Sequence, residues 1–446
     1  MKYEKWSLGY WCLKQYVRFV DSIIHRKTIL TGTKNIPANK PIVFAPNHQN
    51  ALSDPMAILL HTKYQPVWLG RADIFKKGIV TFLLRFLKMM PVYRMRDGKE
   101  QLAKNDKTFA DSIKVLENNF ALALFPEAAH SGKRQMLAHK KAVPRIVFMA
   151  EEKAEQNLDI HIIPVGLYYS SYWKFSSTVI VNFGAPIRIN NFLTEYNENP
   201  GSATLTLRDS IYNAIDELTI NIKSKKHYDD FERIREIYGK HFLKAQGIKY
   251  DEVKLFKSDQ QLTRKLDELE LNNPAEIDTI THDTKQYEKL LKKHGLRNWL
   301  LENPGSNLFM IPLNKIVLLL GLPIFLFGFV FNAIPFFSTD ILTRKNIKDR
   351  AFWSTFSIGS GILFFPLVYL LQLLAMSFLL PGVWLKILFL VCMPISLKLA
   401  FHWYILFLKT VGRTRILFME LFNNKAYRNL HQTRSKLFDK LDNLLT

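Results

Sequence analysis

The segment Asn47-His48-Gln49-Asn50-Ala51-Leu52-Ser53-Asp54-Pro55 places an imidazole and a carboxylate six positions apart, just after the apolar run Ile42–Ala45. A neutral imidazole takes a proton from a hydroxyl, while a neighbouring carboxylate fixes its tautomer and steadies the imidazolium. On one helix, positions six apart lie about 240° around the axis from each other. His48 and Asp54 therefore meet only if the chain between them turns. Pro55 favours a turn, because it disfavours helical geometry at Asp54 and suits the first position of a new helix. A simpler reading makes Asp54 the N-cap of a helix Pro55–His61 and His48 a structural hydrogen-bonder. These residues alone leave both readings open.

Three further pieces follow along the chain. Gly70-Arg71-Ala72-Asp73-Ile74-Phe75 and Pro91-Val92-Tyr93-Arg94 offer two guanidinium groups, the usual choice for bidentate phosphate contact, although either Arg also reads as a surface charge. Phe125-Pro126-Glu127 ends an apolar run and leads into Ala128-Ala129-His130-Ser131-Gly132-Lys133-Arg134. A carboxylate at the end of a strand, beside a basic polar loop, suits a phosphorylated ligand, and a solvated surface turn is the alternative. Ile162-Ile163-Pro164-Val165-Gly166-Leu167 reads as a core or edge strand.

In this order and spacing the pieces resemble the glycerophospholipid acyltransferase family, which includes lysophosphatidate and glycerol-3-phosphate acyltransferases. The resemblance covers roughly residues 25–225, with Val181–Gly184 and Pro186 similar to the segment that closes the domain. It implies His48 as general base and Asp54 as its orienter. It also implies an acceptor site at Arg71, Arg94, Phe125, Glu127, Ser131 and Lys133, and a donor site around Pro164. The implied reaction moves a fatty acyl group from acyl-CoA or acyl-carrier protein to the hydroxyl of 1-acylglycerol 3-phosphate, with glycerol 3-phosphate as the close alternative and no acyl-enzyme. A phospholipid transacylase and a non-catalytic lipid-binding protein are the competing classes. Two departures stand out. Five residues separate His48 from Asp54 where the family commonly has four, and the third block reads Phe-Pro-Glu-Ala-Ala-His-Ser in place of Phe-Pro-Glu-Gly-Thr-Arg-Ser. The lost Arg leaves two readings: the phosphate contact moves to His130, Lys133 or Arg134, or the acceptor differs.

The elements that must hold these residues alternate. Strand-like runs at Pro41–Pro46, Pro66–Leu69, Phe120–Phe125, Ile160–Leu167 and Thr178–Phe183 enclose helical patterns at Asp54–His61, Lys77–Met89 and Thr108–Asn118. This predicts an α/β domain, residues 31–225, built on a mixed sheet flanked by helices. Residues 226–305 read as a charged helical linker or cover, 306–410 as an α-helical membrane region with two or three segments, and 411–446 as a basic cytoplasmic tail. Residues 1–30 lack a signal-peptide core and mix Trp6, Leu8, Trp11 and Phe19 with basic residues, which suits either an interfacial amphipathic helix or a helix packed on its own domain.

Ile316–Phe337 and Phe352–Leu385 carry no charge, and Trp384–Leu408 is interrupted only by Lys386, Lys398 and His402. A spanning helix needs about 20 apolar residues. Pro323 and Pro335 are expected to break the first run into a re-entrant or in-plane segment. Basic residues in the 338–351 loop and in the tail then place both on the cytoplasmic side, together with the catalytic domain.

The 446 residues carry 61 Lys and Arg against 39 Asp and Glu, a net charge of +22. The excess brackets the apolar block, which favours membrane lipids as partners over nucleic acid, for which no recognised module is present. The two cysteines, Cys12 and Cys392, exclude a disulfide scaffold and a multi-cysteine metal site. No metal or cofactor is expected. The nucleophile-elbow, Walker and zinc-protease motifs are absent from the sequence.

Overall fold

The computed structural model describes residues 3–75, 78–93, 100, 103–302, 306–422 and 424–445. The chain forms two compact units, residues 1–219 with 347–358, and residues 220–346 with 359–446.

The first unit is built on an eight-stranded sheet. Its strands are β1 (Lys27–Thr31), β2 (Ile42–Pro46), β3 (Val67–Arg71), β4 (Met89–Val92), β5 (Leu122–Ala123), β6 (His161–Tyr169), β7 (Thr178–Phe183) and β8 (Ile187–Arg188). Their order is β1-β7-β6-β2-β5-β3-β4, with β8 added to β6. The strands from β6 through β2, β5 and β3 to β4 pair in parallel, whereas β7 and β8 run antiparallel to β6. The expected mixed sheet is present. β1 and β4 were not anticipated, and the helix expected over Lys77–Met89 is confined to Ile79–Phe86, with β4 beginning at Met89.

Parallel strands covered on both faces read as continuous apolar runs, and β2 and β6 are buried along their whole lengths. The pleat still sorts their side chains. Val43 and Ala45 of β2 join one core with Ile113, Val147 and Leu207, while Ile42 and Phe44 join the other with Ile58 and Tyr169. The helices α1 (Leu8–Ile24), α2 (Ser53–His61), α3 (Ile79–Phe86), α4 (Asn105–Glu117), α5 (Ala142–Lys153), α6 (Leu193–Glu198) and α7 (Pro200–Asp216) complete the layers. α1 packs on its own domain: Lys14 Nζ donates to the Thr62 and Tyr64 carbonyls at 2.6 and 2.9 Å, and Asp21 meets His61 at 3.3 Å. The same helix leaves Leu8, Trp11 and Phe19 exposed.

The second unit is helical: α8 (Tyr228–Ala245), α9 (Glu252–Asn272), α10 (Pro274–Lys293), α11 (Ser306–Asn346), α12 (Trp353–Met376, whose first six residues belong to the first unit), α13 (Val383–Leu421) and α14 (Lys425–Leu445). α11, α12 and α13 are long and apolar enough to cross a membrane. Contrary to expectation, α11 runs unbroken through Pro323 and Pro335. Proline lacks an N–H, so Pro335 leaves the Phe331 carbonyl without its helical donor. Gln372 Nε2 of α12 donates to that carbonyl at 2.8 Å, the kind of substitute partner that lets proline persist in an apolar helix. Asn332 adds a polar junction, taking a bond from Tyr369 and giving one to Ser396 Oγ at 3.1 Å.

Gly166 on β6 lies against a neighbouring stretch of backbone. A Cβ there would sit 2.1 Å from the Leu218 carbonyl oxygen. Gly166→Ala is therefore expected to lower stability by about 1–3 kcal/mol, as overpacking does, read as a fall in the thermal unfolding midpoint of the detergent-solubilised protein.

Candidate active site

Four parallel strands, β2, β5, β3 and β4, bring their C-terminal ends to one edge of the sheet, where ligands of open α/β sheets bind. His48 follows β2, Phe125 and Glu127 follow β5, and Arg71 ends β3. Arg94, just past β4, lies outside the described residues.

The chain does turn between His48 and Asp54. Asp54 sits in the first turn of α2, fully buried, and reaches back over the loop in place of capping the helix. Its Oδ2 accepts from His48 Nδ1 at 2.8 Å and from the Gln49 and Asn50 N–H groups, both at 2.7 Å. With Nδ1 donating to a carboxylate, the other ring nitrogen, Nε2, is the basic one. Between His48 and Asp54, Ala51 adopts a positive φ of 39°.

Other groups clamp His48. Its N–H donates to Glu127 Oε1 at 2.9 Å, and its carbonyl accepts from the Ser131 N–H at 3.3 Å. Phe125 stacks on the ring at 3.8 Å, with Trp68 behind it at 5.4 Å. His130 meets His48 edge-on at 5.4 Å and in turn meets Phe352 at 4.5 Å. Burial, then the neighbouring His48, holds His130 below its ordinary value, against the opposing pull of Asp54 and Asp349. His130 therefore stays neutral around pH 7.

Glu127 faces inward. It is 2% exposed, and its second oxygen accepts from the Leu137 N–H at 2.9 Å. Both oxygens thus bind backbone amides of the loops flanking the site. Ser131 engages locally too, its hydroxyl donating to the Lys133 carbonyl at 2.8 Å. Arg134 is buried, with its guanidinium on the Tyr169 carbonyl at 2.6 Å and over the Tyr168 and Tyr172 rings, an interior contact that occupies it away from a phosphate. Arg71 is half-exposed and pairs with Asp73, and Lys133 is exposed. Pro164 is buried within β6 opposite Ala45, its carbonyl accepting from the Gly184 N–H at 2.9 Å. The sequence reading gave no role to Asn47, whose side chain bridges to Leu167 on β6 through both its oxygen and its nitrogen, at 2.7 and 3.3 Å. Its position beside His48 was the only signal. No group of three or more metal-ligating side chains occurs among the described residues.

Burial pushes the Glu127 carboxyl up to about 8, against the two amide bonds that favour its charged form. Its folded value exceeds its unfolded value, so the stabilisation is complete below about 4.5 and is lost as pH rises through about 8. Glu127→Gln cannot ionise and is expected to remove that loss from a pH series of unfolding midpoints. The new amide N–H also faces a backbone donor, so kcat is expected to fall, by up to about 10²-fold for a misplaced base, with both KM values little changed. A selective rise in acceptor KM would instead place Glu127 on the acceptor.

Comparison with known proteins adds an independent line. Residues 27–168 match the family model described as Acyltransferase. Glycerol-3-phosphate O-acyltransferase 1 of Saccharomyces cerevisiae is 24% identical over 273 residues, covering 57% of this chain and 35% of that protein. Glycerol-3-phosphate O-acyltransferase 2 of the same yeast is 25% identical over 118 residues, 26% of this chain and 16% of that protein. The chain thus spans about a third or less of the length of these curated relatives. The crystal structure of the 1-acyl-sn-glycerophosphate (LPA) acyltransferase PlsC from Thermotoga maritima superposes with a TM-score of 0.34 at 16% identity, over 46% of this chain and 76% of that one. Residues 27–168, which carry His48, Asp54 and Glu127 alike, are thus similar to the Acyltransferase family, and the yeast relatives support a glycerophospholipid acyltransferase relationship.

Proposed function

We propose that the protein transfers a fatty acyl group from a thioester, acyl-CoA or acyl-carrier protein, to the hydroxyl of a phosphorylated glycerol acceptor at a membrane surface. The observation that carries this reading is the His48 Nδ1 bond to Asp54 Oδ2 at 2.8 Å, on a ring stacked and backbone-clamped from its other sides. Nε2 has no hydrogen bond among the described residues, which leaves it to a substrate. In the proposed step it takes the hydroxyl proton as the oxygen attacks the thioester carbonyl. The C–S bond then breaks, and the imidazolium returns the proton to the leaving thiolate. Asp54 holds the tautomer throughout.

For the acceptor phosphate the reading takes Arg71, Arg94 and Lys133, with Phe125 as an apolar wall. Glu127 and Ser131, tied to the backbone of the His48 loop, serve to position it. The names of the two yeast relatives favour glycerol 3-phosphate as the acceptor, and 1-acylglycerol 3-phosphate is the second reading, resting on the motif resemblance. The apolar helices α11–α13 support an integral membrane protein, and the basic residues Arg344, Lys345, Lys348 and Arg350, at the end of α11 and just before α12, support a catalytic domain on the cytoplasmic face.

The test is purified protein with acyl-CoA and a panel of glycerol phosphate, lysophosphatidate and lysophospholipids. Free thiol is expected to appear with a phosphorylated acceptor, and His48→Ala is expected to reduce it by about 10²–10⁴-fold. Acyl exchange between phospholipids without any thioester would point to a transacylase, and transfer undiminished by His48→Ala would remove His48 as the base.

A further inference from the structure

The segment Ile347–Ile358, which links α11 to α12 and includes the first six residues of α12, lies in sequence far from the acyltransferase region, yet it packs within the first unit. It touches the His48 loop at two points and the neighbouring His130 loop at a third. Ser354, itself buried, donates its hydroxyl to Asn50 Oδ1 at 2.5 Å. Thr355 Oγ1 accepts from the Leu52 N–H at 2.9 Å. Phe352 meets the edge of His130, the ring beside His48.

These contacts bracket the one strained residue of the loop. Ala51, with its φ of 39°, lies between Asn50 and Leu52. A side-chain-bearing residue keeps such a conformation only where its surroundings over-determine it. On the near side the Asn50 N–H is tied to Asp54 Oδ2 and the Asn50 amide to the Tyr172 carbonyl. On the far side Leu52 is held by Thr355. If Ala51 relaxed, the Asn50 N–H would leave Asp54, and the carboxylate that orients His48 would lose a donor.

We propose that Ile347–Ile358 completes the catalytic site, with Ser354 and Thr355 as positioning residues that hold the His48 loop in its working, strained shape. Both begin α12, a helix apolar and long enough to cross a membrane. Catalytic competence is then tied to the seating of that helix, and the acyltransferase region separated from it has a disordered base. The inference rests on His48 acting as proposed above, but its first readout does not.

The experiment places Leu52→Cys and Thr355→Cys in a full-length background with Cys12→Ser and Cys392→Ser. A disulfide is expected to form, seen as a reduction-sensitive band shift, and the locked protein is expected to retain acyl transfer. Failure to cross-link overturns the docking. A locked protein that is inactive and recovers on reduction overturns the positioning role, since the docked segment would then obstruct. Alongside, Thr355→Val is expected to lower kcat about tenfold or more with donor KM unchanged, and Thr355→Ser, which keeps the oxygen, to restore it. Thr355→Val and Ser354→Ala both matching the parent in kcat would also overturn the proposal. Cross-linking of the double-cysteine protein, together with no acyl transfer from thioesters by the parent, contradicts the acyltransferase reading and leaves the docking standing.

Discussion

Three donors converge on one oxygen, Asp54 Oδ2, and the catalytic end of the sheet is organised around it. An anionic oxygen accepts charge-assisted bonds roughly twice as strong as neutral ones, and in a fully buried position none of them competes with water. The oxygen sets the imidazole tautomer and folds the 47–52 loop back on itself with the same bonds. The tautomer of the imidazole and the shape of the loop that carries it are therefore set by one interaction.

Around this centre the other polar groups are backbone clamps. Glu127 ties the His48 loop to Leu137, Asn47 ties it to β6, and Ser131 closes on the His48 carbonyl. Each removes a degree of freedom from the loop that carries the ring, the kind of restraint by which a proposed base is preorganised. The rigidity of the parallel sheet supplies the platform, since β2 is held on both sides by β5 and β6.

Much of this was legible in the sequence. β2, β6 and β7 announce themselves because buried strands are continuous apolar runs. The order of His48, Asp54, Arg71 and Glu127 carried the family resemblance. β1 escaped because Lys27–Thr31 is short and its only partner, β7, lies about 150 residues away, and β4 was absorbed into a helix whose end at Phe86 has no proline or glycine to mark it. The partners of Glu127 could not be read, because a carboxylate that binds substrate and one that binds two amides look alike in one dimension. Nor could Ser354, which meets Asn50 across 304 positions with no local signature.

The bond from Gln372 to the Phe331 carbonyl bears on how the chain is assembled. Before α12 is in place, α11 carries a carbonyl that Pro335 has stripped of its donor, and Gln372 is an amide without a polar neighbour in hydrocarbon. Each helix is costlier to insert alone than in the company of the other.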